Sequence, residues 1–137
     1  MDIAMKELGQ REVSGSKANP RIVEYLTSTS LDRDYRETDE TPWCAAFVTW
    51  VLKQAKMRNT KSAWARSYLK SGNELDKPQY GCIVVLERGQ TSGHVGFFVE
   101  ESEKYVKLLG GNQGNKVSLA DYPKTRVLSY RWPVKEA

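Results

Sequence analysis

The chain is expected to fold as one α+β domain, with helices in its first half and an antiparallel sheet in its second. Three observations lead there. Apolar residues from Trp43 to Lys56 recur at helical spacing. After Lys77-Pro78 the pattern changes to an alternation of period two. The 137 residues contain no repeat, linker or low-complexity segment, which suits one compact unit with a real core. When helices and strands are segregated in this way, the apolar stripe of the central helix is expected to pack on one face of the sheet.

The elements follow in order. Ile3, Met5 and Leu8 can face inward from a short first helix that Gly9 ends. Asn19-Pro20 has the form of a second helix start, an accepting side chain followed by a residue whose missing N–H costs nothing in the first turn. Ile22, Val23, Tyr25 and Leu26 would form its buried side. Ser28 to Glu40 carries five acids and few large apolar groups and reads as an exposed loop. Thr41-Pro42 repeats the start signal, and beyond it Cys44, Phe47, Val48, Val51, Leu52 and Ala55 fall on one stripe of a helix from Trp43 to Lys56. A shorter helix is expected around Ser62 to Leu69. Ile83 to Glu87, His94 to Glu100, Tyr105 to Leu109 and Arg126 to Trp132 read as strands joined by Gly-rich and polar turns.

Composition excludes several classes. The formal charge is +4, but 21 basic and 17 acidic side chains are interleaved without a basic block, so a nucleic-acid partner is not expected. The mild positive balance suits a polyanionic partner such as a bacterial wall, by raising the encounter rate without specifying the target. No apolar run approaches a bilayer span, so no membrane insertion is expected. The start, Met1 to Glu7, lacks the basic region and apolar stretch of a secretory signal, and an extracytoplasmic target is expected to be reached by another route. Two cysteines cannot build a disulfide framework, and no Cys and His cluster has zinc spacing, so neither a metal nor a cofactor is expected.

Cys44 falls three residues past Thr41, in a first helical turn where unpaired backbone N–H groups and the positive dipole end favour an anion. Such a position is expected to lower the thiol pKa and supply a nucleophilic thiolate. A small buried hydrophobe on the helix's apolar side is the plainer reading of the same residue. His94, the only histidine, opens a strand after Ser92-Gly93. Alternation puts Val95, Phe97 and Val99 on one face and His94, Gly96 and Phe98 on the other. If the His94 face meets the helix, thiol and imidazole come within hydrogen-bond reach, the pair that thiol catalysis requires. The alternative is a lone histidine at a strand end. A third polar group should fix the imidazole tautomer, and Leu108-Leu109-Gly110-Gly111-Asn112-Gln113 supplies candidates at the end of the next strand. Asn112 is the expected residue and Gln113 the neighbouring alternative, with the paired glycines letting the backbone come close. A loop that only turns the chain would account for the same residues.

Thr41-Pro42-Trp43-Cys44-Ala45-Ala46-Phe47-Val48, Gly93-His94-Val95-Gly96-Phe97-Phe98, Leu109-Gly110-Gly111-Asn112-Gln113 and Tyr130-Arg131-Trp132-Pro133 together resemble the NlpC and CHAP group of peptidoglycan hydrolases, small single-domain members from phages and bacteria above all. Asn19-Pro20-Arg21-Ile22 and Glu24-Tyr25 are similar to the helix preceding the active site in those proteins, so the resemblance covers nearly the whole chain. It implies a papain-like core with Cys44, His94 and Asn112 as catalytic residues and peptidoglycan stem peptides as substrates. The cut would be that of an endopeptidase or an N-acetylmuramoyl-L-alanine amidase. Release as a phage lysin or injection by a secretion apparatus would both bring such an enzyme to the wall, and a delivery protein or a cognate inhibitor is the kind of protein partner this implies. Two departures stand out. Relatives commonly carry Asp after the glycine where this chain has Gly81-Cys82, and CHAP members often carry Glu two residues before the Asn, where this chain has Gly110.

Trp43, Gln113 and Asn115 are expected to border the cleft and contact the substrate, since they flank the nucleophile and the third residue. The competing view places Trp43 in the core beside Phe47 and the loop in solvent. A non-catalytic wall-binding domain, with Trp43, Trp64 and Trp132 as stacking surfaces, is the reading from another functional class.

Overall fold

The structure, a computed structural model, describes residues 1–11, 19–29, 43–62, 64–89, 92–114 and 116–135. Most of the expected acidic loop, the Thr41-Pro42 start signal and Asn115 lie outside the described residues. Helices α1 (Asp2–Met5), α2 (Pro20–Thr27) and α3 (Cys44–Gln54) come first, followed by a 3-10 segment at Ala65–Lys70. The strands are β1 (Asn73–Leu75), β2 (Ile83–Arg88), β3 (Ser92–Glu101), β4 (Tyr105–Gly110), β5 (Ser118–Pro123) and β6 (Val127–Trp132). They form one antiparallel sheet in the order β1-β6-β2-β3-β4-β5. The α+β class and the segregation of helices from strands are as the sequence predicts.

α2 begins by the expected device, with the Arg21 N–H donating to Asn19 Oδ1 at 2.8 Å and Pro20 in the first turn. Its buried Tyr25 stacks on Trp43 at 5.8 Å and meets Phe47 and Trp50 edge-on, each at 5.2 Å. The Tyr25 hydroxyl donates to the buried Glu7 carboxylate at 2.6 Å, which also pairs with Arg21 at 3.1 Å. Leu8 is exposed rather than inward-facing, because α1 stops at Met5.

α3 is buried nearly all round, Ala45, Ala46 and Thr49 included, because α2 covers the side that the sheet does not. The helix starts at Cys44 with Trp43 as its cap residue, later than Thr41 would have placed it. The segment expected as a helix from Ser62 tightens instead into the 3-10 turn. Strands β1 and β5 go beyond the four that the sequence pattern marks. β1 is three residues long, and β5 is an edge strand whose Leu119, Asp121 and Pro123 face solvent, so its hydrophobic signal is weak.

The sheet is strongly curled. In a flat sheet β5 and β6 would stand four strand spacings apart, about 19 Å. Yet only Lys124–Arg126, one 3-10 turn, separates the end of β5 from the start of β6, and four Cα steps span at most about 15 Å. Curling gives the sheet two different faces. Ile83, Val85, Val95, Phe97 and Leu109 pack against α3, with Phe47 and Phe97 edge-to-face at 6.4 Å. Cys82, Val84, Leu86, Phe98, Val106 and Leu108 fill the concave side, closed over by Leu75, Tyr122, Val127 and Tyr130. Cys82 is wholly buried in that apolar cluster.

Candidate functional site

α3 packs on the face carrying Val95 and Phe97, not on the face carrying His94, which corrects the expected orientation. Cys44 nevertheless reaches β3, because as the first residue of the helix it sits at the sheet's end rather than over its middle, and the Val95 N–H faces its sulfur. His94 lies one residue away, the third residue of β3, with Leu86 of β2 as its cross-strand partner. The imidazole is buried, and its Nε2 lies 2.8 Å from Gln113 Oε1.

Gln113, rather than the expected Asn112, is therefore the group that holds the ring. The Gln113 amide nitrogen donates to Leu108 O at 3.2 Å and Ser118 O at 2.7 Å, which spends both of its hydrogens. Its oxygen is left to face the imidazole as an acceptor, so His94 carries its proton on Nε2 and its lone pair on Nδ1. That Nδ1 is buried and has no hydrogen-bond partner among the described residues, Cys44 included. Asn112 instead adopts a left-handed backbone with φ of 58°, which asparagine tolerates better than most residues. Its presence after two glycines is accounted for by the turn.

Both glycines are there for close approach. A Cβ on Gly110 would stand 2.5 Å from Gln113 Oε1 and 3.5 Å from His94 Nε2. The space beside Gly110 is thus filled by the Gln113 amide. A Cβ on Gly111 would stand 2.7 Å from Phe47 Cβ and from the Trp43 ring. Trp43 itself is fully buried, stacked on Tyr25, and is a core residue beside Phe47. Its indole is too large to stay wet where α2, α3 and the end of β4 converge. Gln113 is also buried and turned inward to the ring, which leaves its side chain unable to reach a substrate while it holds His94.

Sequence reasoning missed Tyr122. Its hydroxyl lies 3.3 Å from His94 Nε2 and the two rings are 5.1 Å apart. The only signal was the alternation of Ser118, Ala120 and Tyr122, which share one face of a weak edge strand. Arg126 stacks its guanidinium over Tyr122 at 5.4 Å.

Burial pushes the Cys44 thiol pKa up, and the N–H groups of Val95, Ala45 and Cys44 itself, with Arg88, only oppose that shift. The expected lowering does not occur, because desolvation outweighs the helix start. Burial likewise pushes His94 down to about 4, with the Gln113 bond opposing and Arg88 and Arg126 reinforcing the shift. The resting pair is neutral thiol and neutral imidazole. Among the described residues no group of three or more His, Cys, Asp or Glu could hold a metal ion, and no helix is long and apolar enough to cross a membrane.

A stability prediction follows from His94. Its folded pKa of about 4 lies below the ordinary value of 6.5, so the folded state excludes the proton that the unfolded chain accepts. The contribution is whole above pH 6.5 and is lost as pH falls towards 4, roughly 3 kcal/mol in all. Urea midpoints measured from about pH 7.5 to about 4.5 should fall more steeply in the wild type than in His94→Gln. Parallel falls would assign the loss to other groups.

The helix start, the buried imidazole and the curled antiparallel sheet define a papain-like α+β domain of the NlpC and CHAP type. The chain belongs to the CHAP family: the CHAP domain matches residues 36–112, more than half of its length. Seven chains of solved structure also match. One is a crystal structure from Staphylococcus aureus subsp. aureus Mu50 of a protein described as similar to lipoprotein, NLP/P60 family, with a TM-score of 0.58 and 18% identity. That alignment covers 100% of this chain and 40% of the other, so this chain spans less than half of that relative, and the likeness bears on the fold. Comparison with curated proteins gives no match. Membership of the CHAP family supports a cell-wall hydrolase type of function in general.

Proposed function

We propose that the chain cuts amide bonds of peptidoglycan stem peptides by thiol chemistry, with Cys44 as nucleophile, His94 as base and Gln113 as the residue that sets the imidazole. The observation that carries this reading is His94 Nδ1, a buried lone pair without a partner among the described residues, on the residue next to the amide that faces the Cys44 sulfur. An unsatisfied buried acceptor is unfavourable by about 1–3 kcal/mol and calls for a reason. A base waiting for a proton is one.

Because the resting pair is neutral, attack is general-base catalysed. Nδ1 takes the thiol proton as the Cys44 sulfur bonds to the amide carbonyl carbon, and the Cys44 backbone N–H with one further donor holds the developing oxyanion. The imidazolium, steadied at Nε2 by Gln113, then protonates the leaving amine as the C–N bond breaks. Water, deprotonated by the same imidazole, hydrolyses the thioester and restores the thiol. The wall-binding alternative loses its common surface, since Trp64 and Trp132 are exposed while Trp43 is in the core.

Mass spectrometry of fragments released from purified wall tests the reading and identifies the bond as that of an endopeptidase or an amidase. Fragment release by the wild type and none by a folded Cys44→Ala protein is the expected result, and equal release by both would end the proposal. The third role has its own test. Gln113→Ala should slow hydrolysis by more than about tenfold through a misoriented ring, whereas Asn112→Gly, which relieves the left-handed backbone, should stay near wild type. The reverse ranking would return the role to Asn112.

A further inference from the structure

Two arginines stand beside the proposed site with no ion pair to an acid among the described residues. Arg88 ends β2 two residues beyond Leu86, the cross-strand partner of His94, and so shares the face that carries the imidazole. Arg126 directly precedes Val127, which pairs with Leu86 from the other side. Its Nε donates to Glu87 O at 3.2 Å and its guanidinium lies 5.4 Å over Tyr122, so it is fixed in place while its terminal nitrogens stay free of ion pairs with the described residues. Arg88 is exposed and makes no hydrogen bond or ion pair with them. Both charges act on the site: after burial and against the Gln113 bond they hold the His94 pKa down, and Arg88 also lowers the pKa of the Cys44 thiol and the Tyr122 phenol against their burial.

We propose that Arg88 and Arg126 form a carboxylate-binding subsite at the end of β2, so that the preferred substrate is a stem peptide with a free carboxylate close to the amide that is cut. This rests on the hydrolase reading above and names its substrate class. Their backbones lie at the same end of β2, and the planar fork of each guanidinium matches a carboxylate in two-point contact. A bound carboxylate would also offset the positive field on His94 and make the imidazole a stronger base when substrate is present. The same oxyanion chemistry is found in the phosphates of wall polymers, and the test separates the two sources.

The test is calorimetric binding to the Cys44→Ala protein, which needs no turnover, using two synthetic stem peptides identical except that the carboxylates of one are amidated. The free-acid peptide should bind at least about tenfold more tightly. Arg88→Gln and Arg126→Gln should each shrink that ratio and the double variant should bring it close to one, with Arg88→Lys in between because it keeps the charge and loses the fork. Arg88→Gln removes no hydrogen bond or ion pair among the described residues, and an unchanged urea midpoint would show that its effect is not a folding effect. Equal binding of the two peptides, no binding of either, or a preference that survives the double variant overturns the proposal. So does displacement of the free-acid peptide by glycerol phosphate at lower concentration than by acetate, which would give the pair to a phosphate. If the preference depends on the arginines but no fragment leaves the wall, the hydrolase reading falls and the subsite stands. Wall cleavage with equal peptide binding removes the subsite and leaves the hydrolase reading in place.

Discussion

His94→Ala is expected to lower wall hydrolysis by roughly 10² to 10⁴. The imidazole is asked to take the thiol proton, to protonate the leaving amine and to activate water, so one substitution removes all three transfers. The Cys44 thiol cannot compensate by ionising alone, because burial holds it in the neutral form. The variant also strips Gln113 Oε1 of its buried donor, which should take about 1–3 kcal/mol from stability. Rates should therefore be read well below the unfolding temperature, with circular dichroism to confirm that the protein is folded. A folded His94→Ala protein with wild-type activity would remove the base from the mechanism.

Trp43→Ala is expected to destabilise the fold by about 3–5 kcal/mol, a large part of what a domain of this size has in reserve. The indole fills the junction of α2, α3 and the end of β4, stacked on Tyr25 and in the path of any side chain at Gly111. Deleting it leaves a cavity that Phe47 and Gly111 cannot close, since one belongs to a buried helix and the other has no side chain. A drop in the urea midpoint without change in its slope is the expected signature. Loss of wall hydrolysis with unchanged stability would put Trp43 back at the substrate.

The sequence by itself determined the order of helices and strands, the Asn19 cap, the burial of the central helix and the existence of four of the six strands, because those depend on periodicity and local hydrogen bonding. It also brought Cys44, His94 and the Gly110 to Gln113 segment into one argument, since a helix start, a strand start and a glycine pair each leave a local mark. What it could not decide was which side of β3 the helix would cover and which side chain of two neighbours would reach the ring. Asn112 and Gln113 are equally polar, and the choice between them came from a turn that puts one into a left-handed backbone and lets the other spend its amide hydrogens on Leu108 and Ser118. The thiol's pKa direction was likewise a matter of tertiary burial, which outweighed the helix start that the sequence did show. Tyr122, Arg88 and Arg126 were beyond local reading altogether. Arg88 comes beside His94 through the register of β2 with β3, whereas Tyr122 and Arg126 do so only because the sheet curls until the end of β5 lies beside the start of β6, and curl is a property of the packed sheet, not of any one strand.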